Sequence, residues 1–416
     1  MIMESKRVYL CLAHMSESGE EQKFVNEAFA TNWVVPLGPN VDGFEEDLKD
    51  FVGQGKEVVA LSAGTAAVHL ALSACGVGRD DEVIVQSFTF CASSHPITYL
   101  GATPVFIDSE PYTWNMDPCL LERAILDGMA RGKKPKAIVP VYLYGMPGNI
   151  AEITDIARRY GIPVIEDAAE GFGSRYEGQM VGTFGEYGVL SFNGNKMITT
   201  SGGGALICPD KESKRRIMWL ATQAREAYPY YQHEAIGYNY RLSNVCAGIG
   251  RGQMTVVKDH IRRHREIAQM YKEAFSEVDG ITFHDEMPGM ESNFWLNTII
   301  LDPKLEVKGG ERAYATAVEG AVGGAAGVVH SSGSVHTDCE PNVNVEALRI
   351  ALDSAGIESR PLWKPMHKQP VYGNAPAFVN GVSESLFKSG LCLPSGPMVT
   401  DEDVERIIAV IENSIA

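Results

Sequence analysis

The sequence predicts an α/β protein in which a large domain with a mainly parallel, seven-stranded sheet precedes a smaller α+β domain. Two observations carry this prediction. Short, continuous apolar runs alternate with helix-like segments in the first half of the chain, and this alternation stops after residue 208. Apolar strands that alternate with helices are typical of a parallel sheet covered on both faces. A chain of 416 residues is long enough for two domains.

The predicted strands are short runs rich in β-branched residues, and helix-like segments lie between most of them. The strands are expected at 57–61, 82–86, 103–108, 136–143, 162–166, 187–192 and 204–208. The helices in this half are expected at 44–51, 65–75, 119–130 and 150–160. Ligands of doubly wound sheets bind beyond the carboxyl ends of the strands, so the residues that follow each strand are the first candidates for a site.

The second half of the chain has a different pattern. Residues 244–276 are predicted to form one long helix with a basic middle. The final helix is expected over 401–415, with Thr400 and Asp403 as a variant of the capping box. The Gly-, Ala- and Ser-rich stretch 306–343 is predicted to be a mobile surface insertion, with a functional lid as the alternative. The domains are accordingly expected at 1–276 and 277–416.

The charge and cysteine content exclude several classes of protein. The chain has 36 basic and 53 acidic residues, a net charge of −17, which argues against a general binder of nucleic acid or anionic membranes. A local pocket can still bind an anion. No apolar run has the roughly 18 residues of a membrane span, and Met1 to Ser16 lack a signal-peptide pattern. The eight cysteines form no Cys-x-x-Cys pair, which predicts reduced core residues and a cytoplasmic protein.

Two short motifs suggest other functions but fail in their details. The segment 53–56 resembles a P-loop, yet Asp50 stands where its first glycine belongs and Glu57 replaces the Ser or Thr. His260 and His264 have the spacing of a metal-binding pair on a helix. Their basic neighbours repel a cation and the glutamate of zinc proteases is missing, so a solvated basic face is the preferred interpretation.

Three segments at predicted strand ends carry the candidate chemistry. Residues 62–69 turn from a strand into a helix through small side chains, and free helix amides form an anion site, although many ordinary turns look alike. Asp167 ends an apolar strand, where an acid needs a cationic partner such as a protonated pyridine nitrogen; a helix cap is the alternative. Lys196 lies between an apolar strand and glycines 202–204, and is either a Schiff-base nucleophile or an exposed loop lysine.

Together these segments supply the parts of a pyridoxal phosphate site. Such a site needs a phosphate cup, an acid for the pyridine nitrogen and a lysine for the aldehyde. Phe90 follows another predicted strand and is a candidate to stack on the cofactor ring. The joint occurrence of these parts in chain order is more specific than any one of them.

The chain resembles the DegT-type sugar aminotransferases, which are pyridoxal phosphate enzymes of fold type I. The resemblance runs from about Val8 to the C-terminus, apart from the insertion. Its matching segments are Ser-Ala-Gly-Thr-Ala-Ala (62–67), Asp-Glu-Val-Ile-Val (81–85), Ser-Phe-Thr-Phe (87–90), Glu-Asp-Ala-Ala-Glu (166–170), Ser-Phe-Asn-Gly-Asn-Lys (191–196) and Gly-Tyr-Asn-Tyr-Arg-Leu-Ser (237–243). Similarity to transaminases of the UDP-N-acetylbacillosamine pathway is carried by 35–38, 200–204, 222–226, 360–367 and 392–396.

The resemblance implies a role for each matched residue. Lys196 would bond to the cofactor aldehyde, Asp167 would pair with the pyridine nitrogen, and Phe90 would stack on the ring. Glu170 would lie near the ring hydroxyl, where two neighbouring anions repel, so its carboxyl should share a proton or have a raised pKa. The phosphate would be held by Gly64, Thr65, Ser191 and, across the interface of a homodimer, Asn239 of the partner subunit.

The implied reaction moves the amino group of L-glutamate to C4 of a UDP-4-keto-6-deoxy-N-acetylhexosamine. The cofactor would alternate between pyridoxal 5′-phosphate and pyridoxamine 5′-phosphate. Lys196 favours transamination, because related dehydratases of the family have histidine at this position. The candidate contacts to the sugar nucleotide are Trp33, Arg241, Arg360, Trp363, Lys364 and His367. For Trp363, packing without any contact to the substrate is an equal alternative.

Other functions remain open from the sequence. The substrate could be another nucleotide 4- or 3-keto sugar. An enzyme acting on amino acids is a further alternative, with Arg360 binding a carboxylate. A non-catalytic sensor or scaffold of the same fold is disfavoured, because both Lys196 and Asp167 are present. The stereochemistry at C4 and the glycan pathway are not determined by these residues.

Overall fold

The computed structural model describes residues 7–310 and 339–415, in which helices and strands alternate along most of the chain. The helices are α1 (Glu20–Ala30), α2 (Pro39–Val52), α3 (Gly64–Ala74), α4 (His95–Tyr99), α5 (Pro118–Ala130), α6 (Ile150–Tyr160), α7 (Lys211–Ala221), α8 (Asn244–Met254), α9 (Val257–Phe275), α10 (Val343–Ser354), α11 (Val382–Ser389) and α12 (Asp401–Ser414). The strands are β1 (Glu57–Leu61), β2 (Glu82–Gln86), β3 (Thr103–Ile107), β4 (Ala137–Val139), β5 (Ile165–Asp167), β6 (Arg175–Tyr176), β7 (Gln179–Met180), β8 (Tyr187–Ser191), β9 (Gly204–Cys208), β10 (Ile281–Phe283), β11 (Met290–Glu291), β12 (Asn297–Leu301), β13 (Arg360–Pro361), β14 (Ala377–Phe378) and β15 (Gly390–Leu393).

The large sheet contains all seven predicted strands, in the order β1-β9-β8-β5-β4-β2-β3. The bridges Ile138–Val164 and Val141–Asp167 join β4 to β5. Strand β9 runs antiparallel to both of its neighbours, and the other six strands are parallel to one another. The short β14 extends this sheet beside β3. The predicted mainly parallel sheet is therefore confirmed.

The fourth predicted strand is much shorter than expected. The run expected over 136–143 is a strand only over Ala137–Val139. Pro140 follows it and has no N–H to donate to a neighbouring strand. The chain then turns through Leu143–Gly145. This turn brings Tyr144 to the edge of the sheet at which β5 also ends.

The prediction of one long helix over 244–276 is wrong, because the helical conformation is interrupted between α8 and α9. Val256 has a ψ of 0°, outside the helical range, at this break. Helix α8 is bound to α1, since Gln253 donates to Glu21 Oε1 at 2.7 Å. Helix α9 instead buries Tyr271 and Phe275 in a second core. One straight helix could not reach both partners.

The solvated basic face predicted around His260 and His264 is also wrong for the two histidines. Both side chains are buried. Nδ1 of His260 lies 3.2 Å from the carbonyl of Met197, and Nδ1 of His264 lies 3.0 Å from that of Phe294. Burial lowers the pKa of His264 to about 3. No cluster of three or more potential metal ligands is present in the described part of the chain.

A second sheet has the antiparallel order β10-β12-β15-β13 and packs with α9, α10 and α12. The capping box of Thr400 and Asp403 at the start of α12 is confirmed.

The domain boundary at residue 276 stays a prediction, and most of the predicted insertion at 306–343 lies outside the described residues. None of the helices in the described ranges is both long and apolar enough to span a membrane.

All eight cysteines lie within the described residues, and the structure joins no two of them in a disulfide. Four of them are buried in the core, namely Cys11, Cys208, Cys339 and Cys392. The prediction of a core position is wrong for Cys119, which is exposed on the first turn of α5.

Candidate active site

A cavity of about 550 Å³ opens at the carboxyl ends of β1, β5 and β8. Parallel strands end at the same edge of a sheet, so residues that are distant in the chain meet there. Nine of the predicted site residues line this cavity: Gly64, Thr65, Phe90, Asp167, Glu170, Ser191, Lys196, Arg360 and Trp363.

The first helix after β1 has a free N-terminus at the cavity. Helix α3 begins at Gly64, and its N-cap residue, Ala63, has no side chain that can accept from the first amides. Ser191 ends β8 beside it, and a Cβ added at Gly64 would lie 3.1 Å from the Ser191 Cβ. Unpaired amides and the positive end of the helix dipole favour an anion at this point.

Asp167 is the last residue of β5 and is buried on the cavity side of the sheet. Ser93 donates to its Oδ2 at 2.6 Å, and the Ala169 amide donates to its Oδ1 at 3.1 Å. Burial raises the pKa of Asp167, while these donors and the nearby charge of Lys196 oppose the rise. Glu166 belongs to the opposite face of the strand, where amides of the loop 182–185 donate to it. A buried acid of this kind stabilises a cation placed in the cavity.

Lys196 lies in the turn after β8, and its ammonium group is held by two neighbours. Its Nζ is 3.2 Å from Oε1 of Glu170 and 4.0 Å from the centre of the Trp295 ring. The Trp295 indole N–H donates to the carbonyl of Asn195 at 2.6 Å, which ties the lysine's own turn to the second half of the chain. The lysine is therefore not the exposed loop residue of the alternative interpretation.

Glu170 is buried next to this lysine, and burial raises its pKa to about 7. The charge of Lys196 and the Tyr144 amide, which donates to Oε2 at 2.7 Å, act against the rise. Tyr144 has a φ of 56°, an uncommon conformation for a residue with a side chain. Its hydroxyl also accepts from the Trp363 amide at 2.9 Å, so one strained residue links Glu170 to the second half of the chain.

Aromatic rings form one wall of the cavity. The Phe90 side chain is 55% exposed, and its ring centre is 5.6 Å from that of Trp363. Trp363 lies in turn 5.1 Å from Tyr144 and 6.2 Å from Trp295. Phe90 thus offers a free apolar face inside the cavity, which a flat ligand can cover.

Five predicted site residues do not line this cavity: Trp33, Asn239, Arg241, Lys364 and His367. Asn239 and Arg241 line a separate cavity of about 420 Å³ on the same chain. His367 lies against the end of β2, where its Nδ1 is 2.6 Å from the Ser87 hydroxyl, and burial lowers its pKa. The backbone carbonyl of Lys364 accepts from Gln369. A substrate contact for these five residues stays a prediction.

Sequence reasoning missed four residues that shape the site: Ser93, Tyr144, Trp295 and Glu358. Ser93 lies only three residues after Phe90, so the strand-end rule could have found it. Tyr144 also follows a predicted strand. Trp295 and Glu358 come from the second half of the chain and follow no predicted strand, and no local pattern points to them.

An uncapped helix N-terminus, a buried acid, a lysine and an aromatic face around one cavity define a pyridoxal phosphate-dependent enzyme. Comparison with known proteins identifies its family. The model of the DegT/DnrJ/EryC1/StrS aminotransferase family matches residues 15–318 and 311–412. The chain therefore belongs to this family and is a pyridoxal phosphate-dependent aminotransferase of nucleotide sugars.

Individual relatives cover nearly the whole chain. EpsN of Bacillus subtilis, whose name describes it provisionally as a pyridoxal phosphate-dependent aminotransferase, is 43% identical over 410 residues, 98% of this chain and 95% of EpsN. GDP-perosamine synthase of Escherichia coli O157:H7 is 34% identical, and the match spans 95% of this chain and 96% of the synthase. A DegT/DnrJ/EryC1/StrS aminotransferase from Brucella abortus has a crystal structure that superposes with a TM-score of 0.81 at 28% identity, covering 95% of both chains. The predicted fold type I is confirmed by this similarity.

Proposed function

We propose that the enzyme transfers the amino group of L-glutamate to C4 of a UDP-2-acetamido-4-keto-2,6-dideoxyhexose, giving a UDP-4-amino sugar for bacterial glycan synthesis. The observation that carries amino transfer is the position of Lys196, 3.2 Å from Glu170 in a cavity that Asp167 also lines. The UDP group and the C4 position are supported by sequence similarity alone, above all in segment 360–367.

The lining of the cavity fits pyridoxal phosphate. The free amides of Gly64 and Thr65, with the hydroxyl of Ser191, would hold the phosphate. Asp167 would pair with the pyridine nitrogen, and Phe90 would cover one face of the ring. When bound, the cofactor supplies an aldehyde that carries the amino group and a ring that accepts electrons from the reacting carbon.

Lys196 would then act as both base and acid. Its Nζ would hold the aldehyde of the cofactor in the resting enzyme, and once the amino donor displaces it, the free amine would take a proton from the α-carbon of glutamate. In the second half of the cycle the same nitrogen would return a proton to C4 of the sugar. After it has taken the proton, the ammonium group of Lys196 would be held near the reacting atoms by its contact with Glu170.

Glu170 is proposed to lie near the ring hydroxyl of the cofactor. A carboxylate beside a phenolate is repelled, and its raised pKa of about 7 is the condition that such a position requires. Replacement by glutamine, Glu170→Gln, is expected to shift the pH titration of the cofactor's visible absorption. An unchanged titration would place Glu170 elsewhere.

The active unit is proposed to be a homodimer in which Asn239 reaches the phosphate of the partner subunit. Asn239 does not line the cavity of its own chain, whereas exposed apolar side chains flank it, among them Leu37 and Tyr228. Mixing Lys196→Ala subunits with Asn239→Ala subunits should restore part of the activity, since one site in each mixed dimer has both residues. No restoration would contradict a shared site.

A cytoplasmic location stays a prediction.

The decisive experiment measures the visible absorption of the purified enzyme with pyridoxal phosphate. Glutamate should bleach the band, and UDP-4-keto-6-deoxy-N-acetylglucosamine should restore it, with the aminated product identified by mass spectrometry. Restoration by a GDP-linked 4-keto sugar alone would support the second candidate, which the 34% identity to GDP-perosamine synthase favours. Restoration by 2-oxo acids alone would reassign the enzyme to amino acids, and no band at all would contradict both candidates.

A further inference from the structure

An ion pair on the wall of the active-site cavity is not used by the proposed chemistry. Arg360 donates to Oε1 of Glu358 from Nη2 at 2.8 Å and from Nε at 3.2 Å. Both residues line the cavity together with Lys196. Among the described residues that line it, Lys196 and Arg360 are the only cations. Since Lys196 is committed to the cofactor, Arg360 is the positive charge of this chain that can meet a substrate anion there.

The acid of this pair is fixed in place, and the arginine is the member that can move. The backbone amide of Glu358 donates to the carbonyl of Val8 at 2.8 Å, and the side-chain Oε2 of Glu358 accepts from the Leu10 amide at 3.1 Å. The Arg360 side chain is 54% exposed, whereas that of Glu358 is 21% exposed. Exposed ion pairs are weak. A ligand with a carboxylate can therefore draw Arg360 away while Glu358 stays bound to the N-terminal segment.

The two substrates make opposite demands on this arginine. This step rests on the proposed function, in which one cavity receives glutamate and the keto sugar in turn. Glutamate brings carboxylates, for which a guanidinium group is a strong partner. The sugar ring is uncharged near its reacting carbon, so it offers no partner there that would draw the guanidinium group away from Glu358.

We propose that Glu358 is a specificity-determining residue, which neutralises Arg360 while the sugar occupies the cavity and releases it to a carboxylate of the amino donor. Glu358 thus competes with the donor for Arg360. Its loss should strengthen the binding of dicarboxylates and weaken the reaction with the sugar, because the uncompensated cation then favours the wrong ligand.

The test measures the binding of glutarate, a dicarboxylate that cannot react, to the holoenzyme by calorimetry. Glu358→Gln is expected to bind glutarate about fivefold more tightly than the wild type, since one competing charge is removed. Arg360→Gln should bind it about tenfold more weakly. In steady-state kinetics Glu358→Gln should lower KM for glutamate and raise KM for the sugar nucleotide, a split that a merely structural defect would not produce.

A matched control removes a similar ion pair away from the cavity. Arg7 pairs with Asp353 at 2.7 Å, both side chains are about half exposed, and Asp353→Asn should leave glutarate binding and both KM values unchanged. The inference is overturned if Glu358→Gln binds glutarate like the wild type, or if Arg360→Gln keeps the affinity. If Glu358→Gln fails to fold, the glutarate affinity of Arg360→Gln alone tests the inference. Failure of the wild type to accept an amino group from glutamate would instead overturn the proposed function.

Discussion

The Nζ of Lys196 lies 3.2 Å from Oε1 of Glu170, and the buried Asp167 lines the same cavity. Burial raises the pKa of both acids, and the charge of the lysine lowers both. The lysine therefore stabilises two carboxylates at once. A base that is held by one acid and can be released from it suits the transfer of a proton between two substrates.

Replacing the lysine should stop amino transfer and leave the fold intact. For Lys196→Ala we expect the rate of cofactor bleaching by glutamate to fall by about 10³-fold or more, because the proton-transfer group is lost. Stopped-flow absorbance measures this rate. Lys23→Ala is the control, since Lys23 pairs with Glu20 at the surface. A Lys196→Ala rate within tenfold of the wild type would remove this residue from the mechanism.

The raised pKa of Glu170 should appear in the stability of the cofactor-free protein. Its pKa rises from the ordinary 4.5 to about 7 on folding. Between these two pH values the folded state therefore keeps a proton on Glu170 that the unfolded state has already released. The stabilisation from this group is complete below pH 4.5 and is lost as the pH rises through 7. It amounts to about 3 kcal/mol.

Urea unfolding of the wild type and Glu170→Gln should show this loss. The free energy of unfolding of the wild type, relative to the variant, should fall by about 3 kcal/mol between roughly pH 4.5 and 8, because glutamine does not titrate. Equal pH dependence in both proteins would show that Glu170 has an ordinary pKa in the fold.

Removing the donor to Asp167 should weaken cofactor binding. Ser93→Ala deletes the 2.6 Å hydrogen bond and leaves a buried carboxylate with one donor fewer, which raises its pKa further. A hydrogen bond to a charged group contributes about 1.5–3 kcal/mol, so the affinity for pyridoxal phosphate should fall about tenfold or more. Fluorescence titration of the cofactor-free enzyme measures it.

The neighbouring serine is the control for this change. Ser94 is buried too, but its hydroxyl donates to the carbonyl of Cys91 and not to Asp167. Ser94→Ala should therefore keep the cofactor affinity. If both alanine variants lost affinity equally, the effect would come from local packing and not from Asp167.

The close approach of β9 to the start of α3 predicts that Gly204 does not tolerate a side chain. A Cβ at Gly204 would lie 2.4 Å from the Gly64 nitrogen and 2.5 Å from the Ala63 carbonyl carbon. Gly204→Ala should lower the free energy of unfolding by about 1–3 kcal/mol, as overpacking does. Gly202→Ala is the control, because nothing lies within 4 Å of its added Cβ. Equal urea midpoints for the two variants would contradict the contact.

Much of the large sheet could be predicted because its signals are local. Every predicted strand of the sheet is present, since a strand covered on both faces must be apolar along its whole length. The helix break at residue 256 was missed because it depends on where α8 and α9 pack, and both halves are good helices by themselves. His260 and His264 were misjudged for a related reason: a basic segment of a helix can still bury one face.

The pattern of residues along the chain is enough to predict the fold class and the main reactive groups, Lys196 and Asp167, because parallel strands bring their carboxyl ends to one edge of the sheet. The surroundings of those two groups depend on contacts between distant parts of the chain. Trp295 lies under Lys196, and Glu358 holds Arg360, although both come from the second half of the chain. Such contacts depend on how distant segments cross, and no spacing within one segment records that crossing.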